Sequence, residues 1–315
     1  MATMVRTVTL AVPTRLTAGS TLAVVEGMTL HSTLDIEADN TFVSPEAPDL
    51  LLQGTQTVDG TGRIGLMAGA GVPVRVEFTG DLTLGQNLVV ELVDGVTEMY
   101  GSGGTLVNRG TIQTRADASK LRLLDSDIIN EGVIETQGAT IHISNGTLLN
   151  SQGGLIRGWG VLAAGSSEEF VNEGTIAPGS ENDPIGTLSV AFTSFTQLQD
   201  GTIQLELLSG ETVSTSDRLV LSLNAMLGGS LEVMLASDSS APQPGEVFRL
   251  LDFNPVMTEG QFDRVVLPDL ASDHRWDTSA LYTQGEIRVV PEPVSGLLLG
   301  LGGVLLLRRR RPQPC

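Results

Sequence analysis

Apolar and polar residues alternate along most of this chain in short runs separated by Gly, Asn and Asp. Alternation with a period of two marks a strand with one buried face. In the middle of the chain the runs recur as LVNRGTI (106–112), IINEGVI (128–134), LLNSQGGLI (148–156) and FVNEGTI (170–176). Each holds two apolar residues, an Asn, a Gly and then, after one intervening residue, an Ile. Asn108, Asn130, Asn150 and Asn172 follow one another at intervals of 22, 20 and 22 residues. A fixed period of this kind is the signature of a stacked architecture. The third copy has two extra residues between Asn150 and Ile156, which a looped turn can absorb.

A second alternation falls inside each period, as in Leu121-Arg122-Leu123 and Ile141-His142-Ile143. Two or three such strands joined by Gly/Asn turns make one coil of a parallel β-solenoid. One coil cannot bury its own inward face, so the core exists only when coils stack. The expected fold is therefore all-β, a solenoid with coils of about 20–22 residues. Asn residues at equivalent turns can hydrogen-bond from coil to coil and satisfy backbone that no sheet reaches.

Residues 19–105 are strand-like but less regular, with a loop expected at 40–49, and the solenoid is assigned to 1–184. APGSENDP (177–184) is a Pro/Gly break. After it, 185–290 reads as further β coils or a small β domain. The Asn-x-Gly-x-Ile coils followed by SDRLVLSLNAMLGGSLEVML resemble autotransporter-type passenger β-helices and related bacterial surface repeat proteins. That resemblance covers about residues 100–270 and implies architecture, since one fold hosts many activities.

Composition changes the picture in three ways. The 315 residues carry 18 Lys+Arg against 37 Asp+Glu, a net charge of −19, and Lys120 is the sole lysine. Such a surface repels phosphate backbones, so no nucleic acid partner is expected. The single cysteine, Cys315, excludes an intrachain disulfide and a cysteine-based metal site. The N-terminal MATMVRTVTLAVPTRLTAGS has an apolar patch too short for a secretory signal. Either the protein stays inside the cell or the chain begins downstream of its true start.

The last stretch favours the second alternative. Residues 291–311 comprise Pro291-Glu292-Pro293, fourteen uncharged residues from Val294 to Leu307, and Arg308, Arg309, Arg310 and Arg311. As a helix the apolar run spans about 21 Å, less than the hydrocarbon core, but arginines can snorkel into cytoplasmic headgroups and hold that end inside. The two prolines keep the segment before it extended. This ordered tripartite tail resembles the PEP-CTERM sorting signal. The resemblance implies export, a single C-terminal transmembrane helix at 294–307, and processing by an exosortase-type enzyme at the inner membrane of a Gram-negative bacterium. Pro291, Glu292 and Pro293 would be the sorting motif and the four arginines the membrane stop. Extracellular polysaccharide is the further partner it implies. PQPC after the arginines departs from the family, which usually ends sooner. An uncleaved tail anchor is the alternative.

Candidate chemistry is sparse. GTGRIG (60–65) fits a dinucleotide fingerprint, but Gly69, Gly71 and Pro73 prevent the helix that such a loop opens, so it reads as a Gly-rich turn. His31, His142 and His274 have no ligand-spaced partner. Asn145-Gly146-Thr147 is a sequon by pattern and a turn by context. Asp125-Ser126-Asp127 would place two carboxylates on one strand face, able to hold Ca²⁺ or divide acid and base roles in sugar cleavage. Arg157 and Trp159 in IRGWG could then offer a sugar a stacking surface. The primary expectation is a non-catalytic surface or matrix protein without cofactor or metal. A β-helix polysaccharide lyase or hydrolase and a glycan-binding module are the alternatives.

Overall fold

A computed structural model describes residues 2–17, 19–38, 49–69, 72–115, 120–165, 167–180, 185–210 and 214–292. Pro293, the 294–307 run, Arg308–Arg311 and nearly all of the loop expected at 40–49 lie outside the described residues. The body is a parallel β-solenoid with three faces, each a column of strands paired to the coil before and the coil after. The first face stacks Gln56–Gly60, Leu82–Leu84, Thr105–Asn108, Asp127–Asn130, Leu148–Asn150, Glu169–Asn172 and Ser194–Gln197 in turn. The second runs through Arg63–Met67, Val89–Asp94, Thr111–Thr114, the start of Val133–Ser144, Leu155–Ala164 and Thr175–Pro178. The third runs through Val74–Phe78, Val96–Gly101, Lys120–Leu124, the second half of Val133–Ser144, the second half of Leu155–Ala164 and Thr187–Ala191.

Alternation along each strand becomes a column across strands, because the parallel register stacks like on like. Ile64, Val90, Ile112, Ile134, Ile156, Ile176, Ile203 and Leu231 lie over one another on the second face. All are essentially inaccessible to water. β-Branched side chains suit this pleated, close-packed ladder. Phe170 contacts Phe192 and Phe195 with ring centres 5.5 and 5.2 Å apart, an aromatic cluster inside the stack.

The turn glycine of the repeat has a steric cause. A Cβ on Gly132 would meet the Gly110 carbonyl oxygen at 2.2 Å, and one on Gly174 would meet that of Gly154 at 2.3 Å. Successive turns thus approach backbone to backbone. In the third copy Gly154 takes this position and its amide donates to the Ser151 carbonyl, so the extra Gln152 and Gly153 bulge outward as a turn.

The stack continues past 184. Thr187–Ala191, Ser194–Gln197 and Thr202–Leu208 add a parallel coil, and Arg218–Leu221, Asn224–Leu227 and Ser230–Leu235 the next. Leu251–Phe253, Thr258–Gly260 and Arg264–Val266 form the last. These coils are longer than the repeat predicts. The 22-, 20- and 22-residue steps widen to 25 between Asn172 and Gln197, and further beyond it. An antiparallel sheet of Val247–Arg249, Glu286–Pro291 and His274–Asp277 packs over this end with Phe248, Ile287 and Val289 buried. A single helical turn, Leu281–Gln284, joins it, closed by Gly285 at φ 71°. Among the described residues no helix is long and apolar enough to cross a membrane.

Truncating the middle of the aliphatic column should be costly. Ile156→Ala is expected to destabilise the stack by about 2–5 kcal/mol, the range for deleting a buried aliphatic side chain without collapse. Urea unfolding followed by circular dichroism would read it as a lower midpoint.

Candidate functional site

Asn108, Asn130, Asn150 and Asn172 are fully buried at the ends of first-face strands. They form a directional chain. Asn108 Nδ2 donates to Asn130 Oδ1 at 2.8 Å, Asn130 to Asn150 at 2.7 Å, and Asn150 to Asn172 at 2.7 Å. Asn172 then donates to Gln197 Oε1 at 2.7 Å, a rung the repeat pattern did not reveal because Gln replaces Asn and the spacing changes. The amides also reach backbone carbonyls, such as those of Val133, Leu155 and Thr175 at the starts of second-face strands. The ladder stops where its column turns apolar, against Leu84 below. Its two ends, Asn108 Oδ1 and Gln197 Nε2, are correspondingly buried without partners.

Outward-facing charges are also consumed rung by rung. On the second face Arg63 lies between Asp35 at 2.8 Å and Glu91 at 2.6 Å, over the space that side-chainless Gly65 leaves. Glu91 also takes Arg115 and Gln113, and its side chain is only 1% exposed. Arg157 pairs with Glu135 at 2.8 Å. On the third face Glu98 sits between Arg75 at 3.0 Å and Arg122 at 2.9 Å. Burial opposes ionisation of Glu98, but hydrogen bonds and charge from Arg75 and Arg122 outweigh it and hold its carboxyl below the usual range. His142 points outward on the same column, its Nδ1 3.0 Å from Ser144 Oγ, and burial followed by Lys120 and Arg122 holds its imidazole below the ordinary value.

The expectation that Asp125 and Asp127 share a strand face is corrected. Asp125 is in the left-handed region at φ 52°, and the strand begins only at Asp127. The chain therefore turns between the carboxylates. Asp125 Oδ1 accepts from Asn145 Nδ2 at 2.6 Å, and that bond together with one from Tyr100 depresses its pKa. Asp127 Oδ1 accepts from the Thr147 amide and hydroxyl, both at 2.9 Å. The same amide-to-carboxylate link joins Thr105 to Asp81 on an earlier coil. Both aspartates hold turns together across coils. Among the described residues no group of three or more His, Cys, Asp or Glu could hold a metal ion.

Arg157 and Trp159 lie on either side of Gly158. Arg157 faces the second face, whereas Trp159 stands at the corner beyond it, between Gly158 at φ 106° and Gly160 at φ 128°. There it lines an open groove of about 520 Å³. Three irregularities meet in this groove. Ile185, Gly186 and Thr187 come from the end of the Pro/Gly break; Ser214, Thr215 and Ser216 come from a strand that turns back antiparallel on Leu207 and Leu208. Val247, Phe248 and Arg249 come from the terminal sheet, and Arg218 lies between. Buried Asp217 ties these pieces together, one oxygen accepting from the Gly186 amide at 2.7 Å and the other from the Glu206 amide at 2.8 Å. Alternation in the sequence reveals none of this, because the parts are brought together by departures from the repeat.

Tail residues Pro291 and Glu292 are described, and they continue the strand that leaves the terminal sheet; Pro291 pairs with His274, and the Glu292 amide donates to the Asp273 carbonyl.

Two measurements test the ladders. Asn150→Leu breaks two amide links and Asn108→Leu one, so the first should destabilise by about 1–3 kcal/mol more, the cost of a further buried unsatisfied group; equal unfolding midpoints would contradict the ladder. Glu98 has a folded pKa below its unfolded one, so its contribution is full above the usual carboxylate range and is lost as pH falls through the lowered folded value. Thermal melts from pH 6 to pH 3 should therefore show a smaller fall for Glu98→Gln than for wild type.

No protein-family model matches this chain and no curated protein matches it, so its functional reading rests on the residues themselves.

Proposed function

We propose that this protein is an exported, non-catalytic β-solenoid that serves as a structural or adhesive component of the cell surface or extracellular matrix. On this reading the tail sorts it: an exosortase-type enzyme recognises Pro291, Glu292 and Pro293 while 294–307 spans the inner membrane and Arg308–Arg311 hold its cytoplasmic end. The single observation that carries the proposal is the ordered tail, motif then apolar run then arginine cluster. The body is compatible with it. Polar side chains along the three faces are largely engaged in coil-to-coil rungs, as in the Asn108–Gln197 and Asp35–Arg63–Glu91 series. Side chains engaged in that way stiffen an elongated stack and repeat a similar surface along its length.

Fractionation of native cells tests the proposal. The product should be found outside the cytoplasmic membrane and shortened at its C-terminus. Replacing Arg308–Arg311 with Gln, or Pro291 and Pro293 with Ala, should leave an unprocessed precursor. A native product resident in the cytosol with its terminal peptide intact would overturn the reading.

A further inference from the structure

The two tryptophans differ in a way that points to a ligand. Trp276 is a structural residue: its Nε1 donates to the Pro268 carbonyl at 2.8 Å and its ring meets Phe248 edge-on at 6.0 Å. Trp159 has neither kind of partner among the described residues, and it lines the groove. The glycines on both sides, Gly158 and Gly160, adopt backbone that L side chains rarely do, and a Cβ at Gly158 would strike the Thr136 carbonyl oxygen at 1.8 Å. The corner is thus built tightly around an indole that the fold itself does not use.

The register places chemistry in line with that ring. Gly160 pairs with Leu188, and Thr187 with Arg218, so Trp159, Thr187 and Arg218 occupy successive rungs. Rungs of a sheet are about 4.8 Å apart, close to the length of one sugar ring in an extended chain. The Thr187 and Thr215 hydroxyls that line the groove have no protein partner among the described residues. Arg218 and Arg249 share one acid, Asp252, at 3.8 and 3.1 Å, and all three remain part-exposed. Glu98 likewise sits between two arginines on the third face, but Arg218 and Arg249 both line the groove.

We propose that this groove binds an acidic polysaccharide, a uronate-containing chain, by stacking one sugar ring on Trp159 while Arg218 and Arg249 take a carboxylate of a neighbouring sugar. The planar guanidinium matches a carboxylate with two parallel hydrogen bonds, the indole face suits the apolar face of a sugar, and an open groove admits a polymer at any point along its length. This deepens the matrix reading and takes its extracellular setting from it, but the two can fail separately, because binding is measured on purified chain and location on cells.

The test is affinity electrophoresis and calorimetry of the full chain with polygalacturonate and with a neutral β-glucan. Polygalacturonate should retard the protein and weaken its grip as salt rises, and the neutral polymer should not. Trp159→Ala and the pair Arg218→Gln/Arg249→Gln should each lower affinity at least tenfold, the arginine pair also flattening the salt dependence. Trp159→Phe should keep most of the binding, and unchanged circular dichroism would separate these losses from misfolding. Equal retardation by the neutral polymer, no retardation by polygalacturonate, or full binding by the arginine variant would overturn the proposal.

Discussion

Everything in this molecule follows from parallel in-register stacking, in which each residue on a face meets its counterpart one coil away. The core exists only between coils, so each inward position must be apolar or must find its hydrogen bond on the next rung. The Ile64-to-Leu231 column satisfies the first condition, and the chain from Asn108 to Gln197 satisfies the second. The orphan acceptor on Asn108 and the orphan donor on Gln197 show the constraint at its limits. A ladder of identical amides is self-satisfying inside and unsatisfied at its ends.

The same geometry governs the charges. Opposite signs on adjacent rungs lie at ion-pair distance, and the second and third faces carry acids and arginines accordingly. Exposed pairs of this kind contribute little. Glu91 differs, since its carboxylate is almost fully covered and accepts from Arg63, Arg115 and Gln113. Removing one of its partners would leave charge buried, so these rungs act more through the penalty for disorder than through net attraction.

Where the repeat breaks, regular stacking no longer uses up every side chain. The coils lengthen after Asn172, a strand folds back at Thr215–Ser216, and an antiparallel sheet covers the end. Those departures create a concavity that ladders do not, and it is lined by Trp159, Thr187, Thr215 and the part-exposed Arg218 and Arg249.

Much of this was legible beforehand. The spacing of Asn108, Asn130, Asn150 and Asn172 and the alternation around Ile141 and Leu121 were enough to indicate strands, coils and stacking, because periodicity is local and survives in one dimension. Pairing Asp125 with Asp127 failed because strand alternation was carried through a residue in the left-handed region, which reverses the local direction of side chains. Gln197 escaped notice since its column is continuous in space while its spacing in the chain is not. The sequence by itself determined the class of fold, the amide ladder's members at regular spacing, and the order of motif, apolar run and arginines at the tail. Only the tertiary structure decided which side chains are spent on neighbouring coils and which are free, since that depends on the turn at every corner and on segments distant in sequence meeting at Trp159.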